Sequence, residues 1–324
     1  MNNIPENLIK KVNNIPALPG IYKMLDSHGE VIYIGKSISL KNRVRSYFTK
    51  NHNWKKVEKM VSFIHDIEYI ITDTHLEARL LECELIKEMK PIFNAQFKND
   101  EKYIYLKVED YNIYNPLAIV NNREENSFGP FRRRSFVIGL IDSLKNLYPI
   151  VKNGENYSFQ YNLMPISMDK EAFEANKDAL LSILSSQEEM ALFINGLEKN
   201  MHEAACQLKF ASAGYYRDLI YGFKYLNKRI NEYKSLLAKD ILLKIPLSQG
   251  YKLFFISNGQ ILLKSTFTSL IQGDIENFID MGRSLKASPI DDFNEKSSLD
   301  FSDIIYSEIK ALPKEMVKYI EKKK

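Results

Sequence analysis

Leu18-Pro19-Gly20-Ile21-Tyr22-Lys23-Met24-Leu25-Asp26-Ser27-His28-Gly29-Glu30-Val31-Ile32-Tyr33-Ile34-Gly35-Lys36 is the stretch on which the fold turns. Residues 20–25 and 31–35 are two short β-favouring runs, and residues 26–30 between them form a turn-rich spacer of hairpin length. Two antiparallel strands are therefore expected. Just beyond, Ser37 or Ser39 can cap a helix in which Leu40, Val44 and Phe48 recur at i, i+4 and i+8 on one apolar stripe. Residues 68–72 (Glu-Tyr-Ile-Ile-Thr) read as a third strand, and residues 75–90 as a helix ended by Pro91. The chain is thus expected to be α+β, opening with a small α/β unit over residues 1–100 whose sheet is mainly antiparallel.

Further along, a strand-like run (103–108), a Gly-Pro loop and a helix-like stretch (136–147) predict a bridging segment, 101–169, packed on the first unit. From 170 to about 237 the pattern is helical. Leu197, Met201, Ala204 and Leu208 form one stripe and Leu219, Phe223, Leu226 and Ile230 another, so a break near Lys209-Phe210 makes a helical hairpin. From 238 to 324 the period changes to 2-like runs (241–247, 251–257 and 260–267) separated by Ser248-Gln249-Gly250 and Ser257-Asn258-Gly259. This predicts a β-meander followed by a helix over 302–322, interrupted at Pro313.

The 324 residues are 45% apolar and 27% charged, enough for two or three domains with real cores. Two cysteines, Cys83 and Cys206, lie far apart, which argues against a disulfide framework, a cysteine-rich zinc site and an iron-sulfur cluster, and favours a reducing cytoplasm. No apolar stretch is long enough to span a bilayer, so no membrane role is expected. The formal charge of +4 says little until it is located. Residues 36–59 hold Lys36, Lys41, Arg43, Arg45, Lys50, Lys55, Lys56 and Lys59 against Glu58 alone, a local balance of +7, so the remainder nets −3. Tyr47, Phe48, His52 and Trp54 are interleaved with these cations, a pattern suited to tracking phosphates and stacking on bases. A second cluster, Arg132-Arg133-Arg134, follows Gly129-Pro130-Phe131.

One carboxylate stands out by geometry. At about 100° per residue, Glu82 falls at the centre of an apolar face made by Ala78, Leu85, Ile86 and Met89, while Glu77, Glu84, Lys87 and Glu88 fall opposite. A carboxylate in such a face is costly unless a cation or strong hydrogen bonds compensate it. A salt bridge to Arg79 and a divalent metal ion both satisfy that need.

Gly20-Ile21-Tyr22 and Tyr33-Ile34-Gly35 resemble the two signatures of the GIY-YIG endonucleases. Their specificity comes from the order that follows: Lys36, then Arg43, Tyr47, Glu82 within Leu80-Leu81-Glu82, and Asn94 within Pro91-Ile92-Phe93-Asn94. Over residues 15–108 the chain is similar to the amino-terminal incision domain of the UvrC/Cho family of excision-repair nucleases. The resemblance implies a metal-dependent DNA endonuclease making a single incision, on the 3′ side, in damaged double-stranded DNA, with Mg²⁺ or Mn²⁺ as cofactor. It also implies that Glu82 is the single protein metal ligand and that Arg43 contacts the scissile phosphate. Lys36 supports charge or tunes a tyrosine. Tyr22 or Tyr33 orients or deprotonates water, which for deprotonation requires a pKa well below the usual value near 10. Tyr47 holds the arginine or a phosphate, or serves as a core aromatic, and Asn94 ties the loop after Pro91 back to the site.

Residues 127–131 (Ser-Phe-Gly-Pro-Phe) resemble the segment that follows the nuclease domain in that family, where several cysteines commonly come next. None occurs here between 157 and 165, so no iron-sulfur cluster is expected. Residues 197–230 look like the UVR motif through which UvrC and UvrB associate. Met201, Leu208, Phe210 at the turn, and Arg217-Asp218 are its expected contact residues, although Gly214 is a poor helix former there. Neither an RNase H-like domain nor a helix-hairpin-helix pair is recognisable after residue 240. Two other readings stay open: a mobile-element or restriction-type nuclease acting without UvrB, and a non-catalytic adaptor binding UvrB or DNA.

Overall fold

The computed structural model describes residues 6–48, 55–112, 115–232, 239–286 and 295–321. The chain divides into two compact units. The first comprises Met1–Asp100, Leu237–Pro289 and Ser297–Lys324; the second comprises Glu101–Leu236 and Ile290–Lys296.

In the first unit, strands β1 (Gly20–Leu25), β2 (Val31–Ser37) and β3 (Asp66–Ile71) form an antiparallel sheet in the order β2-β1-β3. Register sets the chemistry. Tyr22 lies opposite Gly35 and Met24 opposite Tyr33, whereas Ile21 lies opposite Lys36, so the tyrosines and Lys36 leave the sheet on different faces. Gly35 has no alternative at its position, because a Cβ there would fall on the Tyr22 hydroxyl. The face bearing Tyr22 and Met24 is covered by helices α1 (Glu6–Asn14), α2 (Leu40–Ser46) and α3 (Lys55–Ser62) through Leu8, Val12, Leu40, Val44 and Met60. Leu40, Val44 and Phe48 are all buried, as their spacing requires, but neither Ser37 nor Ser39 supplies a side-chain cap. The Ser37 hydroxyl instead donates to the Ser39 carbonyl and accepts from the Ser39 N–H.

Helix α4 (His75–Met89) packs on β1 and β2, and is opened by a capping box between Thr74 and Glu77. Its flank that carries Glu77 and Lys87, expected to be solvated, is engaged by the carboxy-terminal third of the chain. Lys87 pairs with Asp100 and with the fully buried Asp300 at 2.7 Å, Arg79 pairs with Glu308 at 2.8 Å, and Glu77 meets Lys252 and Lys264. In that third, β9 (Asp240–Pro246), β10 (Tyr251–Ser257), β11 (Gln260–Phe267) and β12 (Val317–Ile320) form an antiparallel sheet in the order β11-β10-β9-β12. The meander is present as its period-2 runs imply. The final helix is different: it spans Glu295–Ala311, and the chain beyond Pro313 becomes β12 on the free edge of β9 rather than more helix. Pro313 cannot continue a helix, and Val317 to Ile320 are residues a strand edge accepts readily.

The second unit contains a sheet of β4 (Ile104–Val108), β5 (Leu117–Val120) and β6 (Ser127–Phe131) in the order β5-β4-β6, helix α5 (Arg134–Leu144), and a small hairpin of β7 (Val151–Asn153) and β8 (Asn156–Ser158). Helices α6 (Lys170–Ser185), α7 (Gln187–Cys206) and α8 (Phe210–Asn227) follow. The expected Gly-Pro loop is strand β6. The core side chains Ile104, Phe131, Leu140 and Ile150 of residues 101–169 share one cluster with Phe173, Phe193, Leu197, Leu219 and Phe223. Periodicity locates apolar faces without saying which face meets which.

Candidate active site

Three tyrosines converge in the first unit. The Tyr47 hydroxyl lies 2.9 Å from that of Tyr22 and 3.5 Å from that of Tyr33, and the three ring centroids are 6.0–6.2 Å apart. One turn of helix places Arg43 over the Tyr47 ring, with its guanidinium donating to the Tyr47 hydroxyl at 3.0 Å. Tyr47 is therefore both a core aromatic and the holder of Arg43. Arg43 itself is exposed. Beside it opens a cavity of about 380 Å³ lined by Tyr33, Arg43, Ser46, Tyr47, Lys56, Val57, Met60 and Phe93.

The second half of the site is built along the outer edge of β2. In an edge strand every other backbone group faces outward and needs a partner. The Ile34 N–H donates to the Asn94 side-chain oxygen at 2.9 Å, and the Asn94 amide donates back to the Ile34 carbonyl at 2.8 Å. Two residues on, the Lys36 N–H donates to Glu82 Oε1 at 3.0 Å. The Lys36 side chain runs to His75, Nζ to Nε2 at 3.0 Å, rather than to a tyrosine. His75 carries no motif that would single it out in the sequence. It matters only because the first residue of α4 lands beside β2.

Burial dominates the electrostatics. Desolvation raises the Glu82 carboxyl above its ordinary range, opposed by the Lys36 N–H and by the charges of Lys36, Arg79 and Arg43. Arg79, the alternative partner for Glu82, is paired with Glu308 instead. Met89 of the expected apolar face is exposed, and the buried residues of the helix are Leu76, Ala78, Cys83 and Ile86, so Glu82 sits at the margin of the core and not at its centre. Tyr22 and Tyr33 are likewise raised by burial and by each other's neighbourhood, with Arg43 too weak a counterweight. Within the chain itself, burial therefore outweighs the nearby cations for both phenols. Lys36 and His75 are each lowered, again chiefly by burial.

Of the basic residues, Lys55 and Lys56 are exposed on α3, Arg45 is exposed and donates to Asn13, and Lys41 is half-buried on α2. Lys50, His52 and Trp54 lie outside the described residues. Arg132, Arg133 and Arg134 belong to the second unit, where Arg132 lies over Tyr103, Arg133 over Phe136, and Arg134 donates to Asn121. In the α7–α8 hairpin, Leu208 and Phe210 are exposed at the tip, Met201 packs against the core, and Arg217 pairs with Asp218 on the surface. Gly214 lies within an unbroken α8. Among the described residues no helix is long and apolar enough to cross a membrane. Nor do three or more His, Cys, Asp or Glu side chains gather anywhere among them as a metal cage, which leaves Glu82 as the carboxylate on the site edge.

A three-stranded antiparallel sheet presenting two paired tyrosines, a helix-borne arginine and a lone carboxylate is the arrangement of a GIY-YIG endonuclease domain. Residues 18–95 match the UvrC-like GIY-YIG domain, and this segment of the chain belongs to that domain family. It is 33% identical over 284 residues to UvrABC system protein C of Acetivibrio thermocellus, covering 80% of this chain and 44% of that protein. The corresponding protein of Clostridioides difficile is 32% identical over 345 residues, covering 98% of this chain and 53% of the relative. The chain thus spans about half the length of these curated relatives. The GIY-YIG N-terminal endonuclease domain of UvrC from Thermotoga maritima, solved with its catalytic magnesium, is 36% identical, covering 28% of this chain and 100% of that one, with a TM-score of 0.27.

Proposed function

We propose that this chain incises damaged double-stranded DNA in nucleotide excision repair, making a single cut on the 3′ side with a divalent cation, in the cytoplasm and in partnership with UvrB. The observation that carries the reading is the convergence of Tyr22, Tyr33, Tyr47 and Arg43 with the partly desolvated Glu82 at one edge of a UvrC-like domain.

Glu82 fits Mg²⁺ or Mn²⁺ as the single protein ligand. A hard carboxylate with one oxygen engaged by a backbone N–H keeps its other oxygen for a metal, and such ions retain several waters. When bound, the ion supplies positive charge to the phosphate oxygens and lowers the pKa of its waters. The chain's residues do the rest. Arg43, fixed by Tyr47, offers its guanidinium to a nonbridging oxygen and offsets the charge that develops there. The protonated hydroxyls of Tyr22 and Tyr33 orient a water or donate to the phosphate. Asn94 locks the β2 edge, so the Glu82 partner at Lys36 stays in register with the tyrosines. Lys36, Lys41, Arg45, Lys55 and Lys56 track the backbone on either side, and Arg132 to Arg134 supply further phosphate contacts. UvrB docks on the exposed tip of the α7–α8 hairpin, through Leu208 and Phe210 with Arg217 and Asp218 fixing register.

The test is a nicking assay with Mg²⁺, UvrA, UvrB and a lesion-bearing duplex. A nick 3′ to the lesion, lost in Glu82→Ala, is the expected outcome. Cleavage of undamaged plasmid by the chain alone points to a restriction-type nuclease. Binding without cleavage points to an adaptor.

A further inference from the structure

Lys36 is the residue whose direction the site leaves most exposed to error. Its stem is four carbons long, and its backbone N–H is already committed to Glu82. A carboxylate partner would fix the ammonium and cancel its charge in the same act. The structure provides a different partner. His75 is the first residue of α4, just after the N-cap Thr74, and its Nε2 lies 3.0 Å from Lys36 Nζ. An ammonium has only donors, so Nε2 accepts, and the imidazole carries its proton on Nδ1 and no net charge. Three further features keep it neutral: burial, the neighbouring cations Lys36 and Arg79 (offset in part by Glu308), and the positive end of the α4 dipole.

We propose that His75 is a positioning residue for the incision reaction, a neutral acceptor that aims the Lys36 ammonium at the site beside Glu82 while leaving its positive charge available to the phosphate. The inference rests on the proposed nuclease reading and deepens it. It separates hydrogen-bond acceptance from charge neutralisation, and substitution can separate them too.

The experiment uses the full chain, the lesion-bearing duplex, Mg²⁺, UvrA and UvrB, with kcat, KM for DNA and melting temperature measured for five proteins: the wild type, three His75 variants and Glu82→Ala. His75→Leu removes the acceptor and lowers kcat by about tenfold at unchanged KM, the usual scale for losing an outer-shell partner. His75→Gln restores an acceptor through its side-chain oxygen and returns kcat to within about threefold of the wild type, on the same scale. His75→Glu keeps the hydrogen bond but pairs off the charge, so kcat stays as low as in the leucine variant although the new ion pair leaves the melting temperature equal or higher. Wild-type rates in His75→Leu, or equal rates in His75→Glu and His75→Gln, overturn the proposal. Should the leucine variant melt early, the glutamine and glutamate variants decide the matter between themselves. If the wild type nicks no better than Glu82→Ala, the nuclease reading falls and the role of His75 with it. If the wild type nicks, Glu82→Ala does not, and the three His75 variants match the wild type, His75 alone is excluded.

Discussion

Helix α4 carries charged residues toward two regions of the same unit, and the two are treated differently. On the flank met by the carboxy-terminal strands and helix, each of its charges is answered: Glu77 by the Thr74 cap and by Lys252 and Lys264, Arg79 by Glu308 and Ser307, Lys87 by Asp100 and Asp300. Toward β2, Glu82 is answered by one backbone N–H, with no cation in ion-pair contact among the described residues. Both carboxylates are on one helix, five positions apart, so propensity cannot account for the contrast. The fold pairs its charges thoroughly on one flank and holds a half-buried carboxylate by a single backbone N–H on the other, and the proposed metal role of Glu82 rests on that contrast.

The sharpest way to break this comparison is to exchange the roles of the two regions. Glu82→Ala is expected to lower nicking by about three orders of magnitude, matching the several kcal/mol that a metal's charge contributes. Its melting temperature stays level or rises, because the substitution removes a desolvated charge and no ion pair. Lys87→Met should do the opposite. It removes the cation paired with the fully buried Asp300 and lowers unfolding free energy by about 3 kcal/mol, read from the denaturant midpoint, while the nicking rate per folded molecule is unchanged. A Glu82→Ala protein that nicks normally, or a Lys87→Met protein as stable as the wild type, would dissolve the distinction between the two flanks.

The hairpin tip in the second unit is the next step down in effect. Phe210 is 69% exposed and sits where α7 gives way to α8, beside an equally exposed Leu208 whose left-handed backbone makes the turn. On the proposed reading, that exposed ring is an anchor that UvrB buries. Phe210→Ser should weaken UvrB binding by roughly 2 kcal/mol, the cost of losing one anchor, with little change in melting temperature. Calorimetric titration of UvrB and a thermal melt check the two halves. An early-melting variant with unaltered UvrB affinity would make Phe210 a structural residue.

Much of the first unit was legible in the sequence because its determinants are local. Strands β1 and β2 follow from two β-favouring runs about a turn's length, α2 from Leu40, Val44 and Phe48, and α4 from a helix that Pro91 must end. The residues that meet at the candidate site were picked out by ordered motifs. What stayed hidden depends on long-range pairing. His75 becomes significant only when α4 lies along β2, and Lys87 looks solvated until Asp300, more than two hundred positions later, covers it. The tail after Pro313 changes from helix to strand because β9 offers it an edge, which no local pattern encodes. The direction of the tyrosine shifts was hidden for the same reason: cations are visible in sequence, whereas the burial that outweighs them is a property of the assembled core.

The basic stretch gives the smallest effect, and the one that tests the comparison at the surface. Lys55 and Lys56 are exposed on α3, and neither has an ion-pair partner among the described residues. Lys252 is also a lysine of this unit, but Asp73 holds it at 2.7 Å with Glu77 nearby. Net charge treats the three alike; counterion release does not, because only a cation that approaches DNA phosphate displaces condensed ions. Replacing both Lys55 and Lys56 with alanine should flatten the plot of log affinity against log salt by roughly 0.9 for each phosphate no longer neutralised. Lys252→Met should leave the slope where it was. Equal slopes in all three proteins would return α3 to an ordinary solvated helix, and a changed slope in Lys252→Met alone would move the DNA path to the opposite flank of α4.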